Sequence, residues 1–193
     1  MSSIKNDLFL EAISLVESYF TRLGTFSWIW GGFTLDIYQD QILREHDDVD
    51  YLTHNLHHLI PQVTTHFDNH NWRSDLLENG DLKLTRDDIK IHLGHVEFTD
   101  KVRWTHNGEK GSIWFPREWL DPKPKIFLGS FIHVVEPEFQ YVMLEHPQLL
   151  NPAWRYREKD DLALKYLRSW IKDRGISPCS LFSQISDARQ EPS

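Results

Sequence analysis

The sequence is poor in cysteine and has no long apolar runs. Cys179 is the single cysteine among 193 residues, so no disulfide can form within the chain. No run approaches the ~20 apolar residues that a membrane-spanning helix needs. The N-terminal segment MSSIKNDLFLEA also lacks the apolar stretch of a signal peptide. We therefore expect a cytoplasmic protein.

An excess of basic residues is missing as well. The chain has 21 lysines and arginines against 29 acidic residues, which gives a formal net charge of −8. Such a surface matches nucleic acid and anionic lipid poorly, although a local basic cluster can still bind phosphate. Hydrophobic residues make up 40% of the chain and charged residues 26%, which is typical of a globular protein.

The first third of the sequence alternates helical and strand patterns. Helical segments show apolar residues at amphipathic spacing, and TFSWIW at 25–30 is β-branched and aromatic like a buried strand. A helix over 51–67 is expected to be kinked or broken at Pro61. The predicted elements are a helix (5–22), a strand (25–30), a helix (33–42), a strand (48–52) and a helix (51–67).

From about residue 72 the pattern changes to strands, separated by hairpin signals at ENGD (78–81) and HNGEKG (106–111). The later predicted elements are a strand (125–135), a helix (137–146) and a longer helix (157–173). This order predicts an α+β (mixed α/β) fold in which helices flank a mixed sheet. We expect a single domain over 5–180 and a disordered polar tail over 183–193.

Three aspartates crowd into REHDDVDYL at residues 44–52: Asp47, Asp48 and Asp50. Alternate residues of a strand share a face, so Asp48 and Asp50 point the same way, ~6.6–7 Å apart, while Val49 and Leu52 can pack in the core. Two carboxylates on one face can bind Mg²⁺ or bridge two such ions. Asp47 falls on the opposite face or in the preceding turn.

The pair Gly31-Gly32 gives a second functional indication. A strand that ends in two glycines and enters a helix brings bare backbone close to a ligand, and the helix N-terminus offers N–H groups to a phosphate. Together with acids ~20 residues later, this pattern favours a nucleoside-triphosphate site. Taken singly, each part is also compatible with an ordinary turn or a solvated acidic loop.

These residues resemble a known family. WIWGGFTLD followed by REHDDVD resembles the small antibiotic (aminoglycoside and lincosamide) nucleotidyltransferases of the DNA polymerase β-type nucleotidyltransferase superfamily. The positions that fill the family pattern, in order, are Gly31, Gly32, Phe33, Asp36, Arg44, His46, Asp48 and Asp50. IKIHLGHVEF resembles a family strand with a histidine, and RYREKDDLALKYL resembles the family's Arg-x-Lys-Asp segment through Arg157, Lys159 and Asp160.

The resemblance has one departure. The family carries a third acidic residue, a metal ligand or base, two positions before the strand histidine, and Lys90 stands there before His92. On an alternating strand Asp88 shares a face with Lys90 and His92, so Asp88 is predicted to take this role. Glu97 is the other candidate.

The resemblance implies a nucleotidyltransferase fold and metal-assisted adenylyl transfer from ATP. Asp48 and Asp50 would be catalytic and would hold Mg²⁺ on the ATP phosphates while a hydroxyl attacks the α-phosphorus and pyrophosphate leaves. Asp88 would take the hydroxyl proton. The nucleotide-binding residues would be Gly31, Gly32, Arg44 and Lys159.

The implied partners are a nucleoside triphosphate and a small hydroxylated acceptor, such as an aminoglycoside-like cation that suits an acidic surface. Neither a membrane nor nucleic acid is expected as a partner. Residues 5–100 would form the catalytic core and 101–180 the acceptor side. Two alternatives stay open. One is a non-catalytic nucleotide or small-molecule binder on the same fold, which Lys90 favours, and the other is nucleotidyl transfer to a protein or RNA.

Overall fold

The structure is a computed structural model that describes residues 4–106, 111–121, 123–150, 153 and 157–187. These residues form six α-helices and ten β-strands. The helices are α1 (Ile4–Arg22), α2 (Thr34–Tyr38), α3 (Leu56–Asp68), α4 (Pro137–Glu145), α5 (Asp161–Asp173) and α6 (Pro178–Phe182). The strands are β1 (Ser27–Trp30), β2 (Asp48–His54), β3 (Arg73–Leu76), β4 (Leu82–Arg86), β5 (Ile89–Phe98), β6 (Val102–His106), β7 (Gly111–Phe115), β8 (Lys125–Phe127), β9 (Ser130–Ile132) and β10 (Ser186–Asp187).

An eight-stranded mixed sheet organises the chain. Its order is β1-β2-β5-β6-β7-β10, and β4, with β3 beyond it, pairs with the first half of β5. β2 and β5 run parallel, and the remaining pairs of named strands are antiparallel. β8 and β9 form a separate hairpin. The predicted α+β fold with a mixed sheet flanked by helices is confirmed.

Each face of the sheet has its own hydrophobic core. Val49 and Tyr51 of β2 pack on the face covered by α1 and α3, while Leu52 packs on the face covered by α4 and α5. Alternation along β2 therefore puts Asp48 and Asp50 on the same face as Leu52. They lie at the beginning of the strand, beside a cavity that α4 borders.

Two segments differ from the sequence prediction. α3 continues through Pro61. Pro61 lacks the N–H that would bind the carbonyl of His57, but both residues are exposed, so water can bind that carbonyl. Residues 125–135, predicted as one strand, fold into the β8–β9 hairpin because Leu128 and Gly129 take φ values of 47° and 84° and reverse the chain.

The segment predicted to be a disordered tail, 183–193, contains β10, where Ser186 and Asp187 pair with Trp114 and Ile113 of β7. The rest of that tail, 188–193, and most of the second predicted hairpin turn, 107–110, lie outside the described residues. Within the described part of the chain, no helix combines the length and the apolar character needed to cross a membrane.

Candidate active site: a cavity around Asp48, Asp50 and His92

β2 and β5 bring three potential metal ligands together. Their parallel register pairs Asp48 with Lys90 and Asp50 with His92, so all four residues project from one face of the sheet. Ligand atoms of Asp48, Asp50 and His92 all lie within 4.8 Å of one another, and Nδ1 of His92 is 3.3 Å from Oδ1 of Asp50. A histidine from the neighbouring strand thus joins the aspartate pair that the sequence predicts.

The protonation of this cluster follows from burial and from charge. Burial raises the pKa of Asp50, and the charge of Asp48 adds to this, while His92 and Arg157 oppose it. The hydrogen bond to Asp50 raises the pKa of the His92 imidazole, against the effect of burial. The Asp50–His92 pair therefore retains a proton more readily than either group would in water, and a bound cation would displace it.

The two predicted glycines form a tight turn beside these acids. Gly31–Phe33 make a 3-10 turn between β1 and α2. Gly31 has a φ of 77°, and a Cβ there would lie 2.8 Å from Oδ2 of Asp50, so any other residue is strained and must displace this carboxylate. The backbone N–H of Gly31 donates to Oε1 of Gln140 on α4 at 2.9 Å, which anchors the turn to a helix from the second half of the chain.

A buried side-chain pair fixes the loop between α2 and β2. Nε2 of His46 lies 2.8 Å from Oδ2 of Asp36, and the two side chains are 3% and 1% exposed. The same Asp36 oxygen accepts the N–H of Leu43 at 3.3 Å. Arg44, between these two anchor points, reaches over Gly32, where a Cβ would lie 2.5 Å from its Nη2. The pair therefore positions the Arg44 guanidinium at the glycine turn.

One cavity of about 470 Å³ is lined by the glycine turn, by Arg44 and by the cluster of Asp48, Asp50 and His92. Part of its wall is aromatic: Trp30, which pairs with Asp50 across β1 and β2, meets Trp104 edge to face with ring centroids 4.7 Å apart. Arg157 and Asp160 border the same space and are paired with each other at 2.7 Å. An apolar wall with a few convergent charged groups is typical of a small-molecule site.

The structure brings most of the predicted site residues together. Those lining the cavity are Gly31, Gly32, Arg44, Asp48 and Asp50. Asp47 precedes β2 and also borders the cavity. The side chain of Lys159 lies outside the described part of the structure.

Neither of the two candidates for the third acid reaches the cavity. β5 begins at Ile89, and Asp88 lies exposed in the turn before it, not on the strand face that carries His92. Glu97 is on the opposite face of β5, where it lies 3.2 Å from Nε2 of His95 and 3.6 Å from Arg103. The predicted alternation fails at Asp88 because the strand starts one residue later, and it fails at Glu97 because residues 92 and 97 of a strand point to opposite faces.

Sequence reasoning missed Asp81, which it treated only as part of a hairpin turn. Asp81 lines the cavity. Its Oδ2 accepts a hydrogen bond from Nδ2 of Asn79 at 2.6 Å, and its Oδ1 is buried with no hydrogen-bond partner among the described residues. Burial raises the pKa of Asp81 to about 6. The one indication in the sequence is Gly94 in the neighbouring strand β5. Because this residue has no side chain, the Asp81 carboxylate has room beside it.

The fold is that of the antibiotic nucleotidyltransferases. A crystal structure of the lincosamide antibiotic adenylyltransferase LnuA, with lincomycin bound, matches with a TM-score of 0.61 and 17% identity, covering 80% of this chain and 93% of that one. ANT(2'')-Ia in complex with adenylyl-2''-tobramycin matches with a TM-score of 0.55 and 15% identity, covering 88% and 98%. No protein-family model matches the sequence, and neither does any curated protein. The similarity confirms the fold that the resemblance implies.

Proposed function

We propose that this protein is a Mg²⁺-dependent nucleotidyltransferase that transfers the adenylyl group of ATP to a hydroxyl of a small molecule. The observation that carries the proposal is the cluster of Asp48, Asp50 and His92, which faces the Gly31 turn in one cavity. The fold supports it, because LnuA is an adenylyltransferase and the ANT(2'')-Ia structure contains an adenylylated antibiotic.

The donor set fits a divalent cation. Two carboxylates and an imidazole converge within 4.8 Å, and the missing Cβ of Gly31 keeps the space at Oδ2 of Asp50 open. When bound here, Mg²⁺ would offset charge on the triphosphate and on the departing pyrophosphate. The guanidinium groups of Arg44 and Arg157 line the same cavity. Arg44 offers paired N–H donors to phosphate oxygens, whereas Nε and Nη2 of Arg157 already donate to Asp160 and leave it mainly a nearby positive charge.

The acceptor occupies the side of the cavity formed by Trp30, Trp104 and Asp81. Its hydroxyl oxygen forms the new bond to the α-phosphorus, the bond to the bridging oxygen of the β-phosphate breaks, and pyrophosphate leaves. The hydroxyl proton passes to Asp81, which lines the cavity, whereas Asp88 does not. With a pKa of about 6, Asp81 is ionised at neutral pH and can accept that proton.

Both parts of the proposed domain, 5–180, contribute to the reaction. The part over 5–100 supplies the metal ligands and also Trp30 and Asp81, and the part over 101–180, the predicted acceptor side, supplies Trp104 and Gln140. An acceptor with hydroxyl and ammonium groups suits this acidic cavity, and lincomycin and tobramycin from the similar structures are the first compounds to test. ATP as the donor is consistent with a cytoplasmic location.

A second candidate function is nucleotide binding without catalysis. Lys90 favours it, because this residue stands next to Asp48 across the β2–β5 pair where the family resemblance implies an acid. Transfer to RNA is disfavoured by the acidic cavity and by the net charge of −8.

The test is incubation of the protein with α-labelled ATP, Mg²⁺ and either lincomycin or tobramycin, with pyrophosphate and labelled products measured together. We expect label on a small molecule and an equal amount of pyrophosphate, both abolished in Asp48→Asn and Asp50→Asn and retained in Asp88→Asn. Label on protein or RNA would move the reaction to a macromolecular acceptor. ATP binding without pyrophosphate release across a wider set of hydroxylated amines would favour the non-catalytic binder.

A further inference from the structure

The group of potential metal ligands differs from a purely acidic site because its third member is a histidine, His92, beside Asp48 and Asp50. We infer that His92 is a metal ligand and that the protein alone therefore binds transition-metal ions such as Co²⁺ and Mn²⁺ in preference to Mg²⁺. This inference rests on the proposed function, because it takes Asp48 and Asp50 as the other two ligands of that site.

The position of His92 is fixed by strand pairing. β5 runs parallel to β2, and the register places His92 directly beside Asp50. The imidazole is 36% exposed and the Asp50 side chain 26% exposed, so both reach the cavity. In the described part of the chain, no other group of three histidine, cysteine, aspartate or glutamate side chains converges in this way.

The remaining acids near the centre do not replace the histidine. Asp47 and Asp81 line the cavity, but neither belongs to the group whose ligand atoms converge within 4.8 Å. Asp88 and Glu97 lie outside the cavity. Lys90, the neighbour of Asp48 across the strand pair, is exposed and carries an ammonium group that cannot bind a cation. The protein thus offers two oxygen ligands and one nitrogen ligand from two adjacent strands.

This donor set determines which ions bind well. Mg²⁺ is a hard cation that strongly prefers oxygen ligands and gives up bound water reluctantly. Imidazole is a borderline ligand that suits first-row transition metals, and affinity for such sites rises from Mn²⁺ through Co²⁺. Replacing one carboxylate ligand by an imidazole therefore lowers the affinity for Mg²⁺ more than the affinity for Co²⁺.

The test measures metal binding to the apo protein without nucleotide or acceptor. Dissociation constants for Mg²⁺, Mn²⁺ and Co²⁺ are determined by calorimetry, and pulsed EPR of the Mn²⁺ complex reports ¹⁴N nuclei coordinated to the ion. The variants are His92→Ala, His92→Asp and, as a control for removing an exposed histidine, His58→Ala on α3.

We expect a coordinated ¹⁴N signal in the wild type and in His58→Ala, and its loss in His92→Ala. We also expect His92→Asp to reduce the preference for Co²⁺ over Mg²⁺ at least tenfold. Binding of Mn²⁺ without a ¹⁴N signal, or an unchanged preference in His92→Asp, would overturn the inference while leaving Asp48 and Asp50 as ligands. Unchanged metal binding in Asp50→Asn would instead contradict the site on which the proposed function depends.

Discussion

The backbone of Gly31 passes so close to Asp50 that a Cβ at this glycine would lie 2.8 Å from the carboxylate oxygen Oδ2. The turn that ends β1 and the acid on β2 are therefore built as one unit, although 19 positions separate them in the sequence. Each constrains the other, because a larger residue at position 31 would displace the Asp50 carboxylate from Asp48 and His92.

We predict that Gly31→Ala reduces affinity for metal-bound ATP at least tenfold. The alanine is strained by the positive φ and also displaces the Asp50 carboxylate. Gly24→Ala is the matched control, because Gly24 has a φ of 68° and nothing within 4 Å of its would-be Cβ. The two variants share the backbone strain, so equal ATP affinities in a calorimetric titration would show that the contact with Asp50 is unimportant.

We predict that Gln140→Met destabilises the protein and weakens ATP binding. Gln140 is 1% exposed, and its loss leaves the N–H of Gly31 without its acceptor. An unsatisfied buried N–H costs about 1–3 kcal/mol. Urea unfolding measures the stability change, and Gln140→Glu, which keeps an oxygen acceptor, serves as the comparison. Wild-type ATP affinity in Gln140→Met would mean that α4 does not hold the turn in its binding form.

We predict that Asp36→Ala lowers the unfolding free energy by about 2–4 kcal/mol, because it leaves His46 and the N–H of Leu43 without a buried partner. Asp36→Asn keeps one oxygen acceptor and should cost less. Because this pair fixes the loop that carries Arg44, ATP affinity should fall in the same order as stability. A variant that is destabilised but binds ATP normally would show that this loop does not position Arg44 for phosphate binding.

The buried carboxylate of Asp81 predicts a specific dependence of stability on pH. Its pKa is raised from 3.8 to about 6 in the folded protein, so the folded state binds more protons than the unfolded state between these values. Stability from this group is therefore present below about pH 4 and is lost as pH rises through about 6. A shift of this size corresponds to roughly 3 kcal/mol.

Asp81→Asn cannot ionise and should remove this effect. The unfolding free energy of the variant minus that of the wild type should increase by up to roughly 3 kcal/mol from pH 4 to pH 7.5. Urea unfolding at both pH values measures this difference. Asp88→Asn, which removes an exposed acid outside the cavity, is the matched control. A stability difference for Asp81→Asn that is the same at both pH values would contradict the raised pKa.

Much of the site was predictable where it depends on local pattern. The alternation Asp48-Val49-Asp50 placed both acids on one face, and the glycine pair marked the turn, since both signals lie within a few residues. The position of His92 beside Asp50 depends on the register between β2 and β5, which the sequence does not show. The contact of Gln140 with Gly31 joins residues 109 positions apart, so no local pattern predicts it. Asp88 was misplaced because the start of β5 depends on the hairpin turn, where Asp87 has a φ of 53°.

The central claim is that Asp48 and Asp50 form a metal-dependent ATP site, and calorimetric titration of ATP tests it most directly. The account predicts that ATP binds only when a divalent cation is present, and that Asp48→Asn and Asp50→Asn each weaken binding at least tenfold. Asp88→Asn, which removes the same charge outside the cavity, should bind as the wild type does. Equal ATP affinity in all four proteins, or full affinity without a divalent cation, would contradict the account.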